Sequence, residues 1–239
     1  MEIAVIIPAR YASSRFPGKP LALICGKPMI EHVYQRIAGM EEIGQIIVAT
    51  DDERIYRTVI DFGGRAEMTP SDINSGTDRI ALVARDLSAD IIVNVQGDEP
   101  LLKQEMVREA LEPFFNDPGV FMSTLKKRIA DEEELGNPNV VKVVTDKKGD
   151  ALYFSRYPVP FPRNEGAVYY KHIGLYVYKR EFLLEYSRWE QTPLEKSESL
   201  EQLRVLENGY KIRVVETEYN SVGVDTPEDL KEVEKLLMG

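Results

Sequence analysis

Three short runs of branched apolar residues punctuate the first hundred positions: residues 3–7 (IAVII), 45–50 (QIIVAT) and 91–95 (IIVNV). None alternates polar with apolar side chains, so each reads as a strand covered on both faces, as in a parallel sheet. Between these runs the apolar period changes. Ile30, Val33, Ile37 and Met40 recur at helical spacing, residues 53–62 form a second helical segment ended by Gly63-Gly64, and Ile80, Val83 and Leu87 mark a third. Met106, Ala110 and Phe114 share one face of a helix after the third run. Parallel strands need long crossovers, which helices supply. The βαβα rhythm therefore predicts an α/β chain with a mostly parallel central sheet and helices on both faces.

The rhythm changes near residue 115. Residues 121–127, 140–145, 151–155 and 168–178 read as longer strands, and DKKGD at 146–150 as a hairpin turn. Pro158, Pro160 and Pro162 hold the chain extended. A single domain over 1–239 is expected, with a small mixed-sheet lobe projecting at about 115–165. Asp131 to Glu134 read as a solvated helix start. Helical spacing returns over 198–207, where Asn208-Gly209 ends it. A strand at 212–215 follows, then a closing helix with Leu230, Val233 and Leu237 on one face.

A chain of 239 residues can bury a core without disulfides. Lys and Arg total 30 against 40 Asp and Glu, a net charge of −10 that argues against general binding to nucleic acid or an anionic membrane. The single cysteine, Cys25, excludes an internal disulfide and a cysteine-based zinc cluster, and is expected to pack in the interior. No window approaches the ~18–20 apolar residues of a membrane helix. The opening MEIAVIIPAR lacks the basic start and length of a signal peptide, so a cytoplasmic location is expected. His32 and Trp189 read as packing residues.

The charge is uneven. Residues 3–30 carry Arg10, Arg15, Lys19 and Lys27 and no acid. Three of these cations sit in the loop ARYASSRFPGKP at 9–20, beyond the first strand, where ligands bind in parallel α/β sheets. Small residues there let backbone N–H groups approach phosphate oxygens, and the cations can neutralise a polyphosphate. The loop is not a Walker loop, since Lys19 precedes Pro20, and the chain has no G-x-G for a dinucleotide fingerprint. Asp98, in QGDEP, follows the third strand at the same edge. Gly97 and Pro100 make its turn short and stiff. In VDTPED, Pro227 suits a first helical position with Thr226 as N-cap and Asp229 as its capping-box partner, which leaves the Asp225 carboxylate for other work. Asp98 and Asp225 together suit a hard cation such as Mg²⁺, although a turn aspartate and a capping aspartate are the structural alternatives. Arg79 reads as a ligand contact or a surface arginine, His172 as a structural histidine, Tyr176 as core.

The segments PARYASSRFPGKPL, QGDEP, KHIGLYVY, SLEQLRVLENG and VGVDTPEDL resemble the 3-deoxy-manno-octulosonate (Kdo) cytidylyltransferases, and they span residues 4 to 230. The resemblance implies the Rossmann-like nucleotide-diphospho-sugar transferase fold and a homodimer joined through the 115–165 lobe. It implies transfer of CMP from CTP to Kdo with release of pyrophosphate, dependent on Mg²⁺, in lipopolysaccharide synthesis. It implies catalytic roles for Arg15, Lys19, Asp98 and Asp225, with Asp98 and Asp225 on the metal. Nucleotide contacts fall on Ala9, Arg10, Ser13, Ser14, Ser75, Gly76, Arg79 and Gln96. Sugar contacts fall on Arg156, Arg163, His172, Tyr176, Glu201 and Gln202. A cytidylyltransferase for a sialic-acid-like sugar is the alternative; those enzymes carry a different first loop.

Overall fold

The computed structural model describes residues 1–12, 16–73 and 75–238. In chain order the elements are β1 (Ile3–Ala9), a 3-10 turn (Lys19–Leu21), β2 (Leu23–Ile24), β3 (Lys27–Pro28), α1 (Met29–Ile37), β4 (Gln45–Thr50), α2 (Glu53–Asp61), β5 (Ala66–Met68), α3 (Gly76–Ala84), β6 (Ile91–Asn94) and α4 (Gln104–Asn116). They continue as β7 (Met122–Arg128), α5 (Glu132–Gly136), β8 (Lys142–Thr145), β9 (Ala151–Ser155), β10 (Tyr170–Lys179), α6 (Arg180–Tyr186), α7 (Pro193–Glu198), α8 (Gln202–Glu207), β11 (Arg213–Glu216) and α9 (Pro227–Met238). They gather into two compact units, Met1–Glu105 with Ser221–Gly239, and Met106–Asn220.

The first unit is built on the three apolar runs. β1 pairs in parallel with β4 on one side and β6 on the other, and β5 adds to β4. Ala4 to Ile7 are fully buried, as residues covered on both faces must be. α2 and α3 pack on this parallel sheet as the crossover helices. The strands run in step, Ala9 opposite Thr50 and Ile6 opposite Asn94. The loops after β1, β4 and β6 therefore leave from one edge, the carboxyl edge.

A small core ties the end of the chain to its beginning. Ile24, Met29, Val224 and Val233 are buried together, with Phe16, Val222, Leu230 and Leu237 packed against them. The apolar stripe of α9 thus docks on the β2–β3 hairpin. Cys25 corrects the expectation of burial: it is exposed, at the tip of that hairpin. Cys25 and Gly26 take φ of 48° and 80°, the left-handed pair that a tight two-residue hairpin demands, and a residue at such a tip points outward. His32 anchors the same hairpin through Nε2 to the Ile24 carbonyl at 2.8 Å.

The second unit holds a mixed sheet. β11 is parallel to β7, β10 is antiparallel to β7, and β8 and β9 form the hairpin expected around DKKGD. The expected helix over 198–207 begins later than the spacing predicts. α7 ends at Glu198, Ser199 caps it with a φ of 52°, and α8 covers Gln202–Glu207. α7 has a capping box of Thr192 and Glu195 with Pro193 at its first position. Trp189 packs with Phe182, Tyr186 and Tyr210, as a packing residue should.

Candidate active site

The site in the first unit forms where the carboxyl-edge loops meet the start of α9. Lys19 Nζ donates to Asp98 Oδ2 at 2.6 Å and to Asp225 Oδ1 at 3.3 Å. These residues are 79 and 206 positions from Lys19 along the chain. The Lys19 side chain is only 13% exposed, so its charge is held by the two carboxylates in a partly dry setting. They line an open cleft of about 390 Å³ with Pro8, Ala9, Arg10, Ala12, Pro20, Gln96 and Gly97.

Each carboxylate is aimed by local backbone chemistry. A Cβ at Gly97 would lie 2.9 Å from the Pro8 carbonyl oxygen, so only glycine lets the turn press against β1. The Arg36 side chain donates to the Pro100 carbonyl at 3.0 Å and braces the turn from α1. Asp98's own carbonyl accepts from Val224 N at 2.9 Å, which joins the two acidic loops directly. At the start of α9, Asp229 accepts from the backbone N–H of Asp225 and Thr226 at 2.9 and 2.8 Å, and Thr226 Oγ1 accepts from Asp229 N at 3.3 Å. Burial would raise the Asp229 pKa, but those backbone hydrogen bonds outweigh it and hold it low. Capping falls to Thr226 and Asp229, and the Asp225 carboxylate turns to Lys19. Beside Asp98, burial and then the Asp98 charge push Glu99 up to about 7, against a hydrogen bond with Ser221.

The other nucleotide candidates divide. Gln96 lines the cleft and donates to Asn94 Oδ1 at 3.1 Å. Ser75 caps α3, accepting from Asp78 N at 3.1 Å, and Gly76 sits against Pro8. Arg79 is neither a surface arginine nor turned into the cleft. It is fully buried, pairs with Asp51 at 2.9 Å, and bonds Thr69. Burial lowers its pKa and the Asp51 charge opposes that shift. Asp51 directly follows β4, at the same carboxyl edge that Asp98 occupies beyond β6. Ser13, Ser14 and Arg15 lie outside the described residues. The sequence reading also missed Tyr11. Its ring lies 3.3 Å beneath the Arg54 guanidinium, and its carbonyl accepts from Gly18 N at 2.9 Å, which pins both ends of the loop.

Among the described residues no group of three or more His, Cys, Asp or Glu gathers as a metal cluster. The fit for a cation therefore rests on two carboxylates whose oxygens converge within reach of one ammonium. Two hard oxygens suit Mg²⁺, which commonly takes one or two carboxylates and completes its shell with phosphates and water.

The second unit holds all six sugar candidates. His172 and Tyr176 pack at 5.4 Å between ring centres, and Tyr176 donates to Gln202 Oε1 at 3.3 Å. The pairing of β10 with β7 skips two residues between Ile173 and Tyr176, an even number, so both side chains stay on one face. The carbonyl of Glu201 accepts from the Tyr186 hydroxyl at 2.8 Å. Arg156 stands differently: its guanidinium is spent on the carbonyls of Pro138, Glu198 and Ser199. Arg163 is exposed in the proline-rich loop.

A parallel sheet with cationic and acidic loops on its carboxyl edge defines a nucleotide-binding α/β protein. The sequence profile of the cytidylyltransferase family matches residues 4–212. The chain is 57% identical to the 3-deoxy-manno-octulosonate cytidylyltransferase of Geobacter metallireducens, over 99% of this chain and 98% of that protein. It is 57% identical to the protein of the same name from Solibacter usitatus, over 98% and 94%. A solved structure described as CMP:2-keto-3-deoxy-manno-octonic acid synthetase complexed with CTP superposes with a TM-score of 0.96 at 45% identity, covering 100% of this chain and 99% of that one. The chain belongs to the 3-deoxy-manno-octulosonate cytidylyltransferase family.

Proposed function

We propose that the chain transfers CMP from CTP to Kdo and releases pyrophosphate, activating Kdo for lipopolysaccharide synthesis. The observation that carries this reading is the Lys19–Asp98–Asp225 constellation in the carboxyl-edge cleft. The 2-hydroxyl of Kdo attacks the α-phosphorus of CTP in line, and pyrophosphate leaves. Negative charge grows on the phosphoryl oxygens and the leaving group, so positioning and cations carry the rate. Lys19 and Arg10 neutralise the triphosphate. Backbone N–H groups of the small-residue loop orient it. Asp98 and Asp225 would hold Mg²⁺, which when bound neutralises phosphate charge and eases ionisation of a coordinated hydroxyl.

His172, Tyr176, Glu201 and Gln202 supply the polar surface for the sugar, and the contacts among His172, Tyr176 and Gln202 support that assignment. We assign Arg163 to the sugar carboxylate. A homodimer fits the exposed Leu152, Tyr157, Phe161 and Val168 of the second unit, and a cytoplasmic setting fits the charged substrates. No described helix is long and apolar enough to cross a membrane. Incubation with CTP, Kdo and Mg²⁺, followed by ³¹P NMR, tests the proposal. The expected products are a CMP phosphodiester of Kdo and pyrophosphate; unchanged CTP would refute it.

A further inference from the structure

Thr124, on β7, stands at the meeting point of three groups. Its Oγ1 is 2.9 Å from His172 Nε2, 3.0 Å from the Ile173 carbonyl oxygen and 2.8 Å from that of Leu175. Both carbonyls belong to the irregular stretch of β10, where pairing steps from Ile173 opposite Leu125 to Tyr176 opposite Thr124. Such an irregularity leaves backbone groups without a strand partner. A hydroxyl has one proton and two lone pairs. If that proton pointed at His172, both carbonyl oxygens would face bare lone pairs on Oγ1. Given to a carbonyl, the proton leaves a lone pair that can accept only from an Nε2–H. Burial holds the His172 pKa down to about 3, so the ring is neutral and carries one proton. Phe154 and Tyr176 wedge the ring, at 5.0 and 5.4 Å between centres. Among the described residues Thr124 is the one hydrogen-bond partner of the imidazole.

We propose that Thr124 is a positioning residue that fixes His172 as the Nε2–H tautomer, so that Nδ1 is presented as a hydrogen-bond acceptor for a hydroxyl of the sugar. The acceptor role rests on the assignment of His172 to the sugar; the tautomer does not. A neutral acceptor selects for hydroxyls and not for a carboxylate, which has no proton to give.

Ring ¹H–¹⁵N correlation spectra of the ¹⁵N-labelled full chain test this. The chain has two histidines, so a His172→Gln variant assigns the resonances. The wild type and Thr124→Ser should show the Nε2–H tautomer at His172. Thr124→Val should give a mixture of tautomers and raise KM for Kdo about 10-fold, the worth of one net hydrogen bond, with KM for CTP unchanged. An Nδ1–H tautomer in the wild type overturns the proposal without any variant having to fold, and so does a Thr124→Val spectrum identical to wild type. Saturating Kdo should shift the Nδ1 resonance. An Nε2–H tautomer whose Nδ1 is unmoved by Kdo overturns the acceptor role and the sugar assignment together.

Discussion

Replacing Asp225 by Asn keeps the shape of the side chain and removes its charge. Because Asp229 and Thr226 already cap α9, the fold should survive. Turnover should fall by about 10²-fold or more, as for loss of one transition-state contact, while CTP binding stays measurable. Near-wild-type turnover in saturating Mg²⁺ would remove Asp225 from the reaction. Gly97→Ala tests a steric constraint instead. Its new methyl would meet the Pro8 carbonyl at 2.9 Å, and overpacking of this kind costs about 1–3 kcal/mol, readable as a lower urea midpoint. Lys19, Asp98 and Asp225 were legible because strand ends, a stiff turn and a capping box leave recognisable residues. Arg79 was not legible as a buried ion pair. Its partner Asp51 lies 28 positions away, and nothing local to Arg79 announces it.

Elements follow the same division. Strands 3–7, 45–50 and 91–95 were readable from composition, since full burial on both faces leaves little room for polar residues. The break between α7 and α8 was not. Ser199 is no obvious helix breaker, and the left-handed turn there brings Glu195 back toward Arg204 across the two helices. Arg204 donates to Glu195 from Nε at 2.7 Å and from a terminal nitrogen at 2.5 Å, both side chains being less than a tenth exposed. Glu195→Ala should therefore cost about 3–5 kcal/mol, because the remaining guanidinium stays buried without its carboxylate. A urea titration reads this directly; a loss under 1 kcal/mol would mean that the pair does not join the helices.

At the scale of the whole molecule, stability should fall in acid. Burial holds His172 neutral down to about 3, whereas the unfolded chain takes up that proton near pH ~6.5. Between those values the unfolded state binds more protons, so stability drops as pH falls. Asp150 acts in the same direction. Burial would raise its pKa, but hydrogen bonds from Arg213 and Lys211 hold it below the ordinary value, and that stabilisation is lost as the carboxylate protonates. The His172→Gln variant should lose less of its urea midpoint than wild type between pH 7 and 4.5; equal losses would contradict the neutral imidazole.

The net charge of −10 conceals a cleft that gathers Arg10 and Lys19 beside Asp98 and Asp225. Under the proposed function the two cations meet the triphosphate, and the two carboxylates would hold Mg²⁺. Initial rates of pyrophosphate release with CTP and Mg²⁺, measured side by side with Kdo, with sialic acid and with no sugar, test that account most directly. Release should depend on Kdo and vanish in Asp98→Asn. Release of equal rate without sugar, with sialic acid, or in Asp98→Asn would contradict it.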